Sequence, residues 1–270
     1  MAEPTGAPMS RRERARADTV REIKQTARSL LVAHGIEGLG LRAVAREMGM
    51  TAPALYRYFA SLEDLVEHVV GDLYDELVAD LEAARDAARP ATPGVQLVTI
   101  SRRFRAWALA HHAEFGLLFG SPAERAGTTA QQAKEGPAGA GARRFGETFG
   151  VLVAVIYLER GFPIPADDEL DPAYRDQLRL WCDTLPVPLP LGVMHVFLSC
   201  WIRLYGMVCM EVFGHLRFAL DDAGPMFEAE LRSLAEILGV ADAEPVFEAE
   251  LRSLGETLGI ADDSRPPTGQ

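Results

Sequence analysis

Side chains suited to recognising a nucleic acid are concentrated in residues 49–59 of the chain. Four small residues come first and would let the backbone approach a base edge closely: Thr51, Ala52, Pro53 and Ala54. Three longer side chains that can reach phosphates or bases follow: Tyr56, Arg57 and Tyr58. Upstream, Arg42 can donate two hydrogen bonds to a guanine, which is worth about 1–3 kcal/mol of base discrimination. These residue types predict contacts with DNA.

Two short helices and a tight turn must position these side chains. Apolar residues recur at helical spacing before the turn, at Leu41, Val44, Ala45 and Met48. They predict a helix over 41–48 that ends at Gly49. Thr51 is expected to cap a second helix that runs through Phe59, with Leu55 and Phe59 facing inward. A short helix, a turn and a second helix constitute a helix-turn-helix, whose second helix enters the major groove.

Longer helices are predicted on both sides of this motif. The 3–4 spacing of apolar residues predicts a helix from Val20 to Gly35 before it. After it, an acidic start at Ser61 opens a long helix to about Arg89. The first three helices make a predicted DNA-binding domain over 17–62, which follows a basic, flexible arm over 1–16.

The rest of the chain also has helical periodicity and no strand pattern of useful length. Helices are predicted over 95–112, 143–158, 171–184, 191–220 and 225–238. Residues 121–141 lack periodicity and are expected to form a mobile loop or a frayed helix. The predicted fold class is therefore all-α, with a three-helix head followed by a larger helical ligand-binding and dimerisation domain over 63–240.

A local duplication lies at the C-terminal end. The sequence of residues 225–239 recurs with few changes at 245–259. Two copies are fewer than the three or more that a solenoid needs. Residues 241–270 are interpreted as a duplicated, dispensable helix followed by a tail.

Charge is distributed unevenly along the chain. The whole chain has a formal net charge of −12, which by itself argues against binding a polyanion. Residues 1–60, however, contain ten basic and six acidic side chains, a net charge of +4, and the remainder carries −16. Either this is an uneven solvated surface or the two regions have different roles. An acidic body would face away from DNA and favour a cationic or neutral apolar effector over an anionic one.

Other kinds of site find little support in the sequence. The three cysteines form no C-x-x-C pair, and the adjacent His111 and His112 point about 100° apart on a helix, so no metal site is expected. No phosphate-binding loop or nucleophile elbow is present. Neither an enzyme nor a cofactor is predicted.

No targeting or membrane segment is predicted either. Arginines near the N-terminus are not followed by the apolar stretch of a secretory signal. The most apolar run, 189–202, is interrupted by Pro190 and His195 and is too short to span a bilayer. This run is expected to be a buried core helix, and the protein is expected to be cytoplasmic.

Residues 39–65 resemble the TetR family of bacterial transcription regulators, most specifically at Leu55-Tyr-Arg-Tyr-Phe59. The resemblance covers about residues 17–75. It implies an all-helical DNA-binding head, an all-helical ligand-binding body and a homodimer on a palindromic operator. Leu62 stands where members of the family often carry a phosphate-contacting Lys, and the arginines over 11–16 are candidates to replace that contact along the DNA backbone or minor groove.

The body is less diagnostic. Residues 201–214 resemble the Trp-His-Gly-type C-terminal domain of some members, with Tyr205 in place of the usual His. Seven aromatic residues are candidates to line a ligand pocket: Trp107, Phe115, Phe149, Trp181, Phe197, Trp201 and Tyr205. For each of them, ordinary core packing is the alternative interpretation.

The function predicted from these features is a ligand-responsive transcription regulator, most simply a repressor released from double-stranded operator DNA by a small molecule. The apolar faces of 191–220 and 225–238 are the predicted dimerisation surface. The alternative is a helical protein-interaction module whose helix-turn-helix is only structural. Salt dependence separates the two, because specific DNA binding falls steeply with salt through counterion release.

Overall fold

A computed structural model describes residues 10–120, 136–182 and 188–240 of the chain. These residues form ten α-helices and no strand, which confirms the all-α prediction. The helices are α1 (Arg11–His34), α2 (Leu41–Glu47), α3 (Ala52–Leu55), α4 (Leu62–Ala87), α5 (Pro93–Ala110), α6 (His112–Phe119), α7 (Pro137–Arg160), α8 (Pro172–Cys182), α9 (Leu191–Val212) and α10 (Gly224–Ile237).

Helix α1 starts earlier than predicted because a capping box closes its first turn. The Ser10 hydroxyl accepts a hydrogen bond from the backbone N–H of Glu13, and the Glu13 carboxylate accepts one from the backbone N–H of Ser10. Two otherwise unpaired donors are satisfied in this way. The arginines over 11–16, expected to form part of a flexible arm, are therefore in a helix; residues 1–9 lie outside the described residues.

Other helix boundaries also differ from prediction. At His111 the backbone leaves helical geometry (φ −128°, ψ 53°), which separates α5 from the unpredicted helix α6. Of the segment over 121–141, expected to be a mobile loop or a frayed helix, residues 121–135 lie outside the described residues, and α7 begins at Pro137. Helix α9 ends at Val212 instead of continuing to residue 220, because Gly214 adopts a positive φ of 72°.

The chain divides into two compact units. The first comprises residues 1–76 and 111–144, and the second comprises 77–110 and 145–270. Helix α4 thus contributes its first half to one unit and its second half to the other. The first unit extends beyond the predicted head over 17–62 because α6 packs against α1.

Helix α9 is the central apolar helix of the second unit and packs against α5, α8 and α10. Among the described residues it is the one helix whose length and mean hydropathy, 1.5 over eighteen residues, would also suit a membrane span. Leu191 and Met194 of α9 pack with Leu178 of α8 in a buried apolar cluster. This packing is that of a core helix.

Candidate DNA interface and apolar cavity

The turn of the helix-turn-helix depends on a glycine. Gly49 has a φ of +64°, and the backbone N–H of Met50 closes the end of α2 by donating to the carbonyl oxygen of Ala45 at 2.8 Å. This is the geometry in which a left-handed residue ends a helix, where a residue other than glycine would be strained. The predicted end of α2 at Gly49 therefore has a clear structural cause.

The second helix of the motif is shorter than predicted, yet its orientation agrees with the sequence. Regular α-helix covers only Ala52–Leu55. Tighter turns continue it, with the N–H of Arg57 donating to the carbonyl of Ala54 and the N–H of Tyr58 to that of Leu55. Leu55 and Phe59 are 0% and 2% exposed, which confirms that they face inward.

The predicted DNA-contacting residues lie on the opposite side of this segment from its buried side chains. Four residues of the segment are exposed: Thr51, Pro53, Tyr56 and Arg57. Arg42 of α2 is exposed as well. Three are partly exposed: Ala52, Ala54 and Tyr58. The fold thus presents the whole predicted set at the surface of the motif.

Basic residues of the motif are not neutralised by carboxylates. Within the described ranges, Arg42, Arg46 and Arg57 have no ion-pair partner within 4 Å. By contrast, Lys24 of α1 lies 2.5 Å from the carboxylate of Asp72. Because their charge is not cancelled locally, the arginines of the motif are available to a polyanion. Arg46, exposed on α2, was missed by sequence reasoning, although its basic character was visible.

The paired residues of the first unit instead connect its helices. Arg28 of α1 pairs with Glu76 of α4 at 2.6 Å and with Glu114 of α6 at 3.1 Å. The Glu114 residue is only 6% exposed. Hydrogen bonding to Glu76, opposed by burial, raises the pKa of Arg28. This ion-pair network fixes α1 against the two neighbouring helices.

The first turns of α1 lie beside the recognition segment, which is the second helix of the motif and its continuation, residues 51–59. The guanidinium carbon of Arg16 is 5.2 Å from the centre of the Tyr58 ring, a cation–π distance. Arg12, one turn earlier, is also exposed. The arginines predicted to form an arm are therefore in the helical start of α1, and Arg16 lies next to the motif. Leu62, the departure from the family pattern, is partly buried at the start of α4.

The second unit contains a small apolar cavity of about 50 Å³ between α5, α7, α9 and α10. Three of the predicted pocket aromatics line it: Phe149, Phe197 and Trp201. Tyr205 stacks on Trp201 with ring centres 5.7 Å apart, and the ring centre of Trp181 lies 6.0 Å from that of Phe197. The structure therefore brings these five aromatics together, although only three reach the cavity.

Two predicted pocket aromatics lie elsewhere. Phe115 belongs to the first unit, where its ring centre is 4.8 Å from that of Phe119. Trp107 is buried in the second unit but does not line the cavity. Neither side chain lines this cavity, and both are buried.

Sequence reasoning missed the aliphatic walls of the cavity. Leu97 and Val98 of α5 and Leu231 and Leu234 of α10 contribute to them. Their helical spacing marks these residues as buried, but the same spacing is typical of any core position. Nothing in the residue types distinguishes a cavity wall from solid packing.

The cavity offers no charged group to a ligand. Among its described lining residues, Ser101, Cys200 and Trp201 carry polar side-chain atoms. The Ser101 hydroxyl donates to the carbonyl oxygen of Leu97 at 2.8 Å, so its hydrogen is already used. Burial raises the pKa of the Cys200 thiol to about 11, so that it is neutral at physiological pH. The cavity therefore suits a neutral, apolar group.

An exposed apolar face runs along α9. Ile202 is 65% exposed, and Met210 and Phe213 follow it at spacing that keeps them on a similar side of the helix. Met226 near the start of α10 is also half exposed. Large apolar side chains grouped at a surface mark a protein contact when they form a patch.

An all-helical chain that presents a helix-turn-helix with unneutralised arginines, and carries a second helical unit with an apolar cavity, is a DNA-binding transcription regulator. Comparison with known families agrees. The model for bacterial regulatory proteins of the tetR family matches residues 23–69, and the model for the tetracyclin repressor-like C-terminal domain matches residues 97–234. The chain belongs to the TetR family, whose members are ligand-responsive DNA-binding regulators.

Individual relatives match over nearly their whole length. The HTH-type transcriptional regulator Rv1816 of Mycobacterium tuberculosis is 29% identical over 246 residues, which cover 85% of this chain and 96% of that protein. The crystal structure of the regulatory protein SCO4313 is 32% identical, covers 83% of this chain and 98% of its own, and has a TM-score of 0.61. RolR, solved with the ligand resorcinol, covers 84% of this chain and 95% of its own at 15% identity, and its TM-score of 0.51 indicates a shared fold.

Proposed function

We propose that the protein is a homodimeric repressor that binds a palindromic operator and leaves it when a neutral, apolar small molecule enters the second unit. The observation that carries the DNA side is the contrast between the free arginines of the motif, Arg42, Arg46 and Arg57, and the paired basic residues of α1. Since DNA affinity rests on neutralising phosphates with basic side chains, unneutralised arginines around a recognition segment are what this function needs.

Specific roles follow from residue type and exposure. The small residues at the start of α3, Thr51 to Ala54, permit close approach to base edges. Arg42 is the candidate for a two-point hydrogen bond to guanine, and Tyr56, Arg57 and Tyr58 are candidates for phosphate or base contacts. The basic first turns of α1 add phosphate contacts beside the half-site.

Dimerisation is proposed through α9 and α10. Their exposed residues, such as Ile202, Phe213 and Met226, give a second copy of the chain an apolar surface to cover. A two-fold dimer places two recognition segments for half-sites roughly 34–36 Å apart, one turn of DNA. The operator of such a dimer is an inverted repeat, and the protein acts in the cytoplasm, where that DNA is.

The proposed effector site is the cavity lined by Phe149, Phe197 and Trp201. Its volume of about 50 Å³ is smaller than the roughly 150 Å³ of an apolar cavity that binds benzene, so an aromatic effector must push its walls apart. Such a shift gives a ligand different affinities for two conformations, which is the condition for any regulatory effect. Helix α4, which begins beside the motif and continues to Ala87, is the continuous element proposed to transmit the change.

The two sides of this proposal can be tested together. A fluorescent operator fragment is titrated with the full-length protein at increasing salt, and bound samples are then challenged with a panel of small neutral aromatic and aliphatic compounds. Steep weakening with salt and release by one compound class are expected. Salt-insensitive binding without sequence selection would instead support a protein-interaction module, and release only by charged compounds would contradict the assignment of the cavity.

Arg42→Ala and Arg160→Ala make a matched pair for the same titration. Each removes one exposed arginine, but Arg160 lies at the end of α7 in the second unit. Only the Arg42 variant should lose operator affinity. Equal losses in both variants would indicate a general charge effect and contradict recognition by the motif.

A further inference from the structure

The sequence that follows α10 is a near copy of α10 itself. Residues 225–242 and 245–262 are identical at 14 of 18 aligned positions. The first copy forms α10 and packs in a groove between α5 and α9 of the second unit. The second copy lies outside the described residues, but its sequence can be compared with the contacts that the first copy makes.

The ion pairs of α10 all use residues that the second copy retains. Glu228 accepts hydrogen bonds from Arg102 of α5 at 2.9 and 3.1 Å. Glu230 accepts one from Arg203 of α9 at 2.5 Å. The corresponding positions of the second copy, Glu248 and Glu250, carry the same carboxylates.

Two further polar and aromatic contacts are retained in the same way. The Ser233 hydroxyl accepts a hydrogen bond from Arg203 at 2.9 Å, and the second copy has Ser253 there. The Arg105 guanidinium lies 5.0 Å from the centre of the Phe227 ring, and the second copy has Phe247.

The buried apolar residues of the first copy also recur. Phe227, Leu231, Leu234 and Leu238 are each less than 9% exposed. Their counterparts are Phe247, Leu251, Leu254 and Leu258. A helix formed by the second copy would therefore present the same apolar face to the groove between α5 and α9.

The four differences fall into two groups. On the outer side, Val246 replaces half-exposed Met226, and Thr257 replaces partly exposed Ile237. On the inner side, Gly255 replaces Ala235 and Ile260 replaces Val240, two residues that line the cavity. Because glycine disfavours a helix relative to alanine, the first copy is the preferred occupant.

We propose that residues 245–258 are an interchangeable copy of α10 that occupies the same groove when the first copy leaves it. The chain between the end of α9 at Val212 and Pro245 can easily span the shift, since each extended residue reaches about 3.3–3.6 Å. The exchange keeps the ion pairs but alters two cavity walls and two outer residues. Its effect on effector binding and dimerisation rests on the proposed function; the exchange itself does not.

The test uses three variants of the full-length chain: Leu234→Asp, Leu254→Asp and the double variant. Each aspartate places a charge on the buried face of one copy, which that copy cannot bury without a large penalty. Thermal unfolding and peptide-resolved hydrogen–deuterium exchange are measured for each. Neither readout involves DNA or a ligand, so failure here is distinguishable from failure of the proposed function.

Leu234→Asp alone is expected to melt within about 5 °C of the unmodified chain, because the second copy takes over. Exchange protection should fall over 225–238 and rise over 245–258. Leu254→Asp alone should leave the melting temperature unchanged, and the double variant should melt far lower than either single variant. A Leu234→Asp chain that is as unstable as the double variant, or that gains no protection over 245–258, would overturn the proposal.

Discussion

Arginine has different roles in the two units. Around the helix-turn-helix, Arg42, Arg46 and Arg57 project from the surface without a carboxylate partner among the described residues. In the second unit, Arg105 of α5 instead forms two hydrogen bonds, of 2.7 and 2.5 Å, with the carboxylate of Glu211 on α9. Net charge is therefore a poor guide to function here, because pairing decides whether a basic residue serves recognition or packing.

The pairs of the second unit act as cross-links between helices. Hydrogen bonding to Glu211, opposed by burial, raises the pKa of Arg105, as expected for a guanidinium held by a carboxylate. Arg203 joins α9 to α10 in the same manner through Glu230, and Arg103 of α5 pairs with Asp80 of α4. The Arg105 and Arg203 pairs join helices that surround the cavity.

The largest effect is expected where such a cross-link is broken in the second unit. Arg105→Ala leaves the Glu211 carboxylate, 13% exposed, without its partner. The free energy of unfolding should fall by about 3 kcal/mol, because an uncompensated charge stays largely buried. Urea denaturation of Arg105→Ala and of the control Arg179→Ala, whose pair with Asp176 is exposed, checks this. If the free energy of unfolding falls equally little in both variants, the Arg105–Glu211 pair does not stabilise the unit.

The next largest effect should appear in DNA affinity without a change in stability. Arg57→Ala removes an exposed, unpaired guanidinium from the recognition segment and should weaken operator binding about 10- to 100-fold. The melting temperature should stay the same, since no packing contact is removed. Binding isotherms and thermal denaturation on one preparation measure both. A fall in melting temperature with unchanged affinity would reverse the roles assigned to the two arginine classes.

Arg28 distinguishes the effect of an arginine's ion pairing from the effect of the unit in which it lies. Arg28 belongs to the basic head but is paired with Glu76 and Glu114, so Arg28→Ala should behave like a variant of the second unit. The free energy of unfolding should fall by about 1–3 kcal/mol, because the buried Glu114 carboxylate loses its partner. Arg21→Ala, which breaks an exposed pair with Asp18, should change it by less than about 0.5 kcal/mol. Indistinguishable urea curves for the two variants would show that location matters more than pairing.

The smallest effect concerns the cap that keeps the basic start of α1 helical. The backbone hydrogen bond from Ser10 lowers the pKa of Glu13. The contribution of the Glu13 carboxylate to helix stability is therefore fully present above the ordinary pKa of a glutamate, and it is lost as the pH falls through the lowered pKa. Glu13→Ala removes this carboxylate and should therefore reduce the helical content of the N-terminal segment at pH 7 and have little effect at pH 2. Hydrogen exchange over residues 10–20 measures it; an equal effect at both pH values would contradict the role of the carboxylate.

The helix-turn-helix could be predicted from sequence because its signals are local. Gly49 ends α2 and Leu55 and Phe59 point inward for reasons contained within a few residues. The start of α1 was also readable, since Ser10 and Glu13 have capping-box spacing, but the run of arginines was interpreted as an arm.

The arrangement of the second unit could not be predicted in the same way. The pair between Arg102 and Glu228 joins residues 126 positions apart, and no local pattern encodes that contact. Phe149 and Trp107 are both buried aromatics with helical spacing, yet only Phe149 lines the cavity. The difference depends on how four helices come together.

Selection of bound fragments from random double-stranded DNA by the full-length protein tests the central claim most directly. We expect enrichment of an inverted repeat whose half-sites are about 10 base pairs apart or a multiple of that. This enrichment should be lost in the double variant Arg42→Ala/Arg57→Ala and kept in Arg160→Ala. Recovery of unrelated sequences, or the same enrichment without Arg42 and Arg57, would contradict recognition of DNA by the exposed face of the helix-turn-helix.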